Sequence, residues 1–295
     1  MSIPKGTAFI LLSVFAAAPL MDAAVETFAS DTIATSPAEK VAALSSLPAR
    51  FSIAATSAMP ASMPFLAPFS LTGISLGGIW RSAADTQIAE NGSGQLTGSV
   101  IASSYRQLNS STTVWGHADF TAGKLRGITW SNSADYSVVG PYVFGDSVGG
   151  DLVRRQYTFS GGYAGRKNGW TWGIEADYRA CLDYRARDPR DKIVVSDLNG
   201  KLSASRRIGS FPLAIGLGGA IRVYNQTASV EFYNPLTDIT MYMMTGLGTT
   251  YKRFSGNSGK SIAHTGFGWN VTASLFQIAG VPDRFYLNLD GGNIH

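Results

Sequence analysis

Between Trp170 and Ala180 every second residue is apolar. Trp170, Trp172, Ile174, Ala176, Tyr178 and Ala180 alternate with Thr171, Gly173, Glu175, Asp177 and Arg179. Successive side chains of a β-strand point to opposite faces, so the segment predicts a strand with one greasy face and one charged face. Upstream, Tyr157, Phe159, Gly161 and Tyr163 alternate with Gln156, Thr158, Ser160 and Gly162. Arg166-Lys167-Asn168-Gly169 lies between the two segments, and an Asn-Gly step there predicts a tight hairpin turn.

The period recurs over 113–120, 197–204, 213–223, 267–275 and 284–290, and more weakly over 96–105 and 124–130. That makes about nine strands from Leu96 onward, with Leu71 to Trp80 as a further candidate. Each is about 9–12 residues long, against 5–6 in common globular strands and 9–11 for strands that cross a bilayer at a tilt. Short turns are expected at 121–123, 166–169, 207–210 and 278–283, and long connections at 131–150, 181–195 and 225–262. The short stretch 106–111 is the exception on the long side. Short turns at one end and long loops at the other are the pattern of a bacterial outer-membrane barrel. Trp170 and Tyr178 would then sit roughly 20 Å apart in height on the lipid face, close to an apolar band flanked by aromatic girdles. A soluble β-sandwich or lipocalin-type barrel shares the alternation, but strand length and loop asymmetry favour the membrane form. Loops holding Pro141, Asp188 and Pro235 are expected outside the cell, and turns at Gly123, Asn168, Gly209 and Pro282 in the periplasm.

Composition sharpens this picture. Only 15% of residues are charged and 33 of 295 are glycine, which argues against helical bundles, while 11% aromatic residues argue against disorder. The net charge of +4 is too small and scattered for a nucleic-acid partner. A single cysteine, Cys181, excludes an internal disulfide and a Cys-based zinc site. Lys5 followed by the apolar run Ala8 to Ala18 predicts a signal peptide over 1–24, too short to span a membrane as a helix. Residues 25–69, rich in Ala, Ser and Pro, read as a leader expected to pack loosely, and 70–295 as the barrel.

The candidate chemistry is sparse. His117 and Asp119 stand two apart on one polar strand face and could act as a base and its orienter in a membrane-embedded hydrolase or acyltransferase. A solvated pair inside the barrel is the simpler reading, because no nucleophile is fixed beside them. Glu175, Asp177 and Arg179 face the same interior, where Lys201, Arg222 and Arg284 are available as partners. They form either a stiffening ion-pair network or a charge-selective lining. Arg185, Arg187 and Arg190, with Asp188, read as a surface loop facing lipopolysaccharide phosphates or pinned to Asp183, Asp188 and Asp191. Asp146 to Asp151, and Asp188 with Asp191, lack the twelve-residue spacing of a calcium loop. No cofactor or metal site is indicated.

Several motifs carry a resemblance. They are Ser104-Tyr105-Arg106-Gln107-Leu108-Asn109, Thr113-Val114-Trp115-Gly116, the run Pro141 to Asp151, Gln156 to Tyr163, Tyr184-Arg185-Ala186-Arg187-Asp188-Pro189-Arg190, and Gly246 to Phe254. Over roughly 95–290 they resemble an uncharacterised outer-membrane β-barrel family of Bacteroidota, a domain of unknown function. The resemblance implies a fold and a location but no catalytic residue. That family runs longer, and the chain closes on Asn293-Ile294-His295 rather than on an aromatic residue. An all-β, antiparallel transmembrane barrel of outer-membrane type is therefore expected, incomplete at its C-terminus, with lipid, lipopolysaccharide and the barrel-insertion machinery as partners. The expected role is a non-enzymatic conduit, transporter or surface receptor of unknown ligand.

Overall fold

A computed structural model describes residues 8–16, 59–66, 70–83, 88–234, 236–255, 259–278 and 286–294. Arg284 and Pro235 lie outside the described residues. The strands are β1 (Ala8–Ala16), β2 (Leu71–Ser82), β3 (Gly94–Asn109), β4 (Thr112–Ile128), β5 (Phe144–Asp146), β6 (Gly150–Lys167) and β7 (Trp170–Tyr184). They continue as β8 (Arg190–Arg207), β9 (Leu213–Glu231), β10 (Thr240–Gly246), β11 (Thr249–Ser255), β12 (Lys260–Gln277) and β13 (Tyr286–Ile294). A short helix, α1 (Tyr136–Val139), and a 3-10 turn over Pro60–Phe65 complete the elements that matter below.

Ten strands form one antiparallel meander in the order β1-β2-β3-β4-β6-β7-β8-β9-β12-β13. Among the described residues no pairing joins β1 to β13, so the sheet is open. A second sheet, ordered β11-β10-β5, is built from two of the long connections. The apolar run expected to serve as an export signal is β1, with Ala8 opposite Trp80 and Ala16 opposite Thr72.

The alternation is borne out and the strand boundaries are corrected. Strands β3 to β9 in the large sheet, with β12, run to 15–19 residues. The expected turn at 121–123 does not exist, because β4 runs straight through it. Gly123 is a wall position where a Cβ would lie 2.1 Å from the Leu96 carbonyl oxygen, so the residue marks a close strand approach rather than a turn. The true hairpin is at Ser110–Ser111, where the Asn109 side chain accepts a hydrogen bond from the Ser111 amide at 2.9 Å. It lies at the same end as Asn168–Gly169, whose φ angles of 52° and 77° are those an Asn-Gly hairpin needs. With this correction the exception at 106–111 disappears, and every connection at one end of the sheet from Ser110 to Pro212 is a short turn.

Register sorts the wall into rows. The outward rows run from Trp170, Ile215 and Leu275 at the turn end, through Ile174, Leu202 and Val271, to Phe159, Tyr178, Val223 and Phe267. All of these but the half-buried Leu275 are exposed although apolar; Leu202 and Leu217 are each 62% accessible. On β9 the apolar stretch from Leu213 to Val223 covers ~33 Å of strand, or ~25 Å of height at a tilt near 40°. Beyond it the outward positions Asn225, Thr227, Ser229 and Glu231 are polar, while the inward Ala228 and Val230 are buried.

That inversion marks the core. At the loop end the inward face, through Cys181, Ile193, Val195 and Ala228, packs against Val139, Val143 and Met244 from the folded-in connections. At the turn end Met59 and Ala61 pack against Ala214 and Phe276. The segment 25–69 therefore does not pack loosely in its described part: Pro60 to Pro64 are buried. Glycine makes room for it, since a Cβ on Gly173 would lie 2.5 Å from the Pro60 carbonyl carbon. Gly173→Val is expected to push the 3-10 turn off the wall while the meander stays intact. Faster limited proteolysis between Met59 and Leu66, with an unchanged β spectrum, checks it; equal protection would show that the glycine is incidental.

Candidate functional site

The interior charges expected from the alternation, with His117 and Asp119, stand among the described residues on three consecutive rows. Pairing of β4, β6, β7, β8 and β9 aligns Trp115, Gly162, Glu175 and Lys201 on the first and His117, Ser160, Asp177, Asn199 and Arg222 on the second. The third holds Asp119, Thr158, Arg179, Asp197 and Tyr224. The two-residue period thus delivers nearly all the expected interior charges to one patch.

Within the first two rows Lys201 Nζ bridges Glu175 Oε1 at 2.6 Å and Asp177 Oδ2 at 3.1 Å. The Trp115 indole N–H donates to Glu175, so this carboxylate, only 6% exposed, is held from two sides. The indole packs against Gly162, where a Cβ would come within 2.2 Å of it. On the third row Asp197 accepts from Arg222 at 2.7 Å through both oxygens and from Arg179 at 3.2 Å.

Arg179 has a second partner that the strand pattern does not contain. Asp135, immediately before α1, accepts both terminal nitrogens of Arg179 and also the Tyr224 hydroxyl at 2.9 Å. The neighbouring loop residues are tied down as well. The Gln226 side-chain oxygen accepts from the Ala134 amide at 3.2 Å, and Arg154 donates to the Ala134 carbonyl at 3.3 Å while paired to the buried Asp183. The connection 129–149 is thereby folded onto the inner face instead of standing free above the wall.

For the loop arginines the structure holds the pinned alternative at Arg185 and Arg190. Arg185 is not a surface-loop residue: it is buried, pairing with Asp146 at 3.0 Å and Asp191 at 2.9 Å. Asp146 also accepts from the Gly149 amide at 2.6 Å, so its place is structural. His117 and Asp119 share a face without touching; among the described residues no hydrogen bond joins them, and Asp119 accepts from Thr121 instead at 2.9 Å. Of the loop candidates, Arg187 and Arg190 are exposed. Arg190 lies over the Tyr233 ring at 4.6 Å and pairs with Asp188 at 3.2 Å. Asp188 ties two loops together by accepting from the Tyr233 and Asn234 amides. What little burial Asp188 has opposes its charge, but those amides and Arg190 outweigh it and hold the carboxyl below its usual range.

The Arg185 cluster, well above the apolar rows, has two carboxylates on one guanidinium. Burial, together with Asp146 across the same cation, pushes Asp191 up to about 7 against the pull of Arg185. A carboxyl whose folded pKa is raised contributes stability that is complete below its unfolded value near 4. That contribution falls as pH rises, by about 1.4 kcal/mol per unit, and is gone above the folded value. Slowed hydrogen exchange at Phe144 and Val230 is therefore expected at pH 5 and to weaken towards pH 8. Asp191→Asn, which keeps the Asn132 contact without the charge, should flatten the profile; an identical slope in the variant would assign the effect elsewhere.

An open antiparallel meander, apolar outside and ion-paired inside, with connections folded against its inner face, is the architecture of a barrel wall. Residues 60–293 match a family of unknown function, DUF6850, and the chain belongs to that family. No curated protein matches the sequence. Among solved structures the chain is similar to the outer membrane transporter YddB from Escherichia coli, at 8% identity and a TM-score of 0.36. The similarity covers 76% of this chain and 32% of that one, so the chain spans about a third of the transporter's length.

Proposed function

We propose that this chain forms wall strands of a bacterial outer-membrane β-barrel that serves, without catalysis, as a transporter or surface receptor. The observation that carries the reading is the outward belt. Across five neighbouring strands, Phe159, Ile174, Leu202, Leu217, Ile221 and Phe267 are each more than half exposed. A soluble monomer rarely presents more than a few hundred Å² of contiguous apolar surface. Hydrocarbon welcomes such a face, and lipid tolerates strands only where their backbone groups are paired. The belt's ~25 Å height fits the apolar band of outer-membrane barrels.

Orientation follows from the connections: the loop end faces outward and the turns at Ser110, Asn168 and Gly209 face the periplasm. Met59 to Phe65 fill the inner face near the turns and residues 130–144 fill it near the loops, which favours a gated transporter or receptor over an open conduit. The apolar run Ala8 to Ala18 acts as the export signal, and on its removal β2 becomes the first wall strand. The test is expression of the full chain with separation of the membranes. The protein should fractionate with the outer membrane, resist carbonate extraction and migrate faster unheated than boiled. Recovery in the soluble periplasm, with no heat-dependent shift, would refute the reading.

A further inference from the structure

The outward face carries a second chemistry just above the belt. Lys124 and Arg126 on β4, Arg155 on β6 and Lys192 on β8 all occupy outward positions, and all four are exposed. Register places Lys124, Val153, Tyr184 and Lys192 on one row, with Arg155 one row below and Arg126 one pair above. The arc spans three strand spacings, or ~14 Å. Beneath it lie Phe120 and Tyr157, with ring centroids 4.8 Å apart, and then Phe159 and Tyr178.

Among the described residues none of the four cations has an ion-pair partner, whereas interior cations such as Arg179, Lys201 and Arg222 are all paired. Two exposed acids of that face flank the arc, Asp151, whose Oδ1 accepts from the Gly127 amide at 3.2 Å, and Glu231, one row above Lys192 on β9; neither is ion-paired to any of the four cations. The arc is local: the same rows on β9 and β12 carry Thr227, Ser229, Ala263 and Ser261. Four unneutralised cations on the lipid side of a wall, immediately above an aromatic border, match a headgroup bearing several phosphates and acyl chains that lie along the belt.

We propose that Lys124, Arg126, Arg155 and Lys192 form a binding site for the phosphates of a glycolipid headgroup, the lipid A type of the outer leaflet. The proposal rests on the membrane reading above and assigns its lipid partner to particular residues. Long cationic side chains hold phosphate by charge-assisted hydrogen bonds while their stems cover apolar surface. The site is distinct from the Arg187–Arg190 loop, whose Arg190 is already engaged by Asp188 and Tyr233.

The experiment reconstitutes the full chain in phosphatidylcholine vesicles and titrates bisphosphorylated lipid A, the same lipid A stripped of phosphate, and inorganic phosphate. Quenching of outward tryptophans by brominated phosphatidylcholine reports insertion independently. Wild type is expected to bind bisphosphorylated lipid A at least tenfold more tightly than the stripped lipid, with millimolar inorganic phosphate a poor competitor. The variant K124Q/R126Q/R155Q/K192Q should insert normally and lose at least tenfold in that affinity. An inserted variant that binds like wild type, wild type indifferent to the lipid's phosphates, or full competition by inorganic phosphate overturns the site. A wild-type chain whose tryptophans are never quenched overturns the membrane reading, and the site with it. If only the variant fails to insert, K124Q/R155Q replaces it and is held to the same loss.

Discussion

Leu202→Arg should abolish most assembly. Leu202 sits in the middle outward row, beside Ile174 of β7 and Gly219 of β9, and is 62% exposed. An arginine there would face hydrocarbon, at a cost of about 2–4 kcal/mol near the midplane, falling towards zero at the interfaces. That is a large part of the stability of an ordinary domain. The neighbouring inward residue gives the contrast. Ser203 faces the 3-10 turn, accepting from the Ala61 amide at 2.7 Å, and Ser203→Ala removes one hydrogen bond of about 1 kcal/mol without exposing a charge. The measurement is the fraction of unheated protein with the faster mobility in outer-membrane preparations. Leu202→Arg is expected to lose most of it and Ser203→Ala little; equal assembly of the two would mean that the face assignment is wrong.

Asp135→Ala should release the connection 129–149 from the inner face. Asp135 answers Arg179 and Tyr224 at once, and its removal leaves Arg179 with Asp197, which Arg222 already occupies through both oxygens. Losing one partner of a half-buried charge-assisted pair costs about 1–3 kcal/mol, concentrated in the loop because the wall keeps its ladder. Exchange of the Val139 and Gly140 amides, and protease cutting between Trp130 and Phe144, should rise tenfold or more while heat-modifiable mobility is retained. Unchanged protection would mean that Asn132, Ala134 and the apolar contacts of Val139 hold the loop without Asp135.

The lower half of the wall was readable because lipid-facing and interior residues obey one rule along each strand. The period placed Glu175, Asp177, Arg179, Lys201 and Arg222 on one face, and Asn168–Gly169 announced its own turn. Reading failed where the rule changes hands. Past Val223 the apolar residues move to the inward side, because the wall there packs against folded-in connections rather than against lipid. The alternation on β9 therefore marks a strand about eight residues shorter than the 19 it has. Gly123 reads as a turn in sequence because a glycine needed for close strand approach looks the same there as one needed for a positive φ. The Asp135–Arg179 pair joins positions 44 apart through a loop without periodicity, and no local signal marks it. The Arg185–Asp191 pair was legible six residues away in sequence, but the burial of Arg185 was not, since Asp146 is brought to it only by the fold of the connection that carries β5.

The central claim is that one face of these strands meets hydrocarbon and the other does not. Single cysteines placed in turn at 198–204 of β8, with Cys181 replaced by alanine, and spin-labelled in the bilayer test it most directly. Labels at 198, 200, 202 and 204 should be reached by oxygen and shielded from a water-soluble nickel reagent, and labels at 199, 201 and 203 should show the reverse or be shielded from both. A profile without a two-residue period, or equal access of the nickel reagent to both sets, would contradict the account.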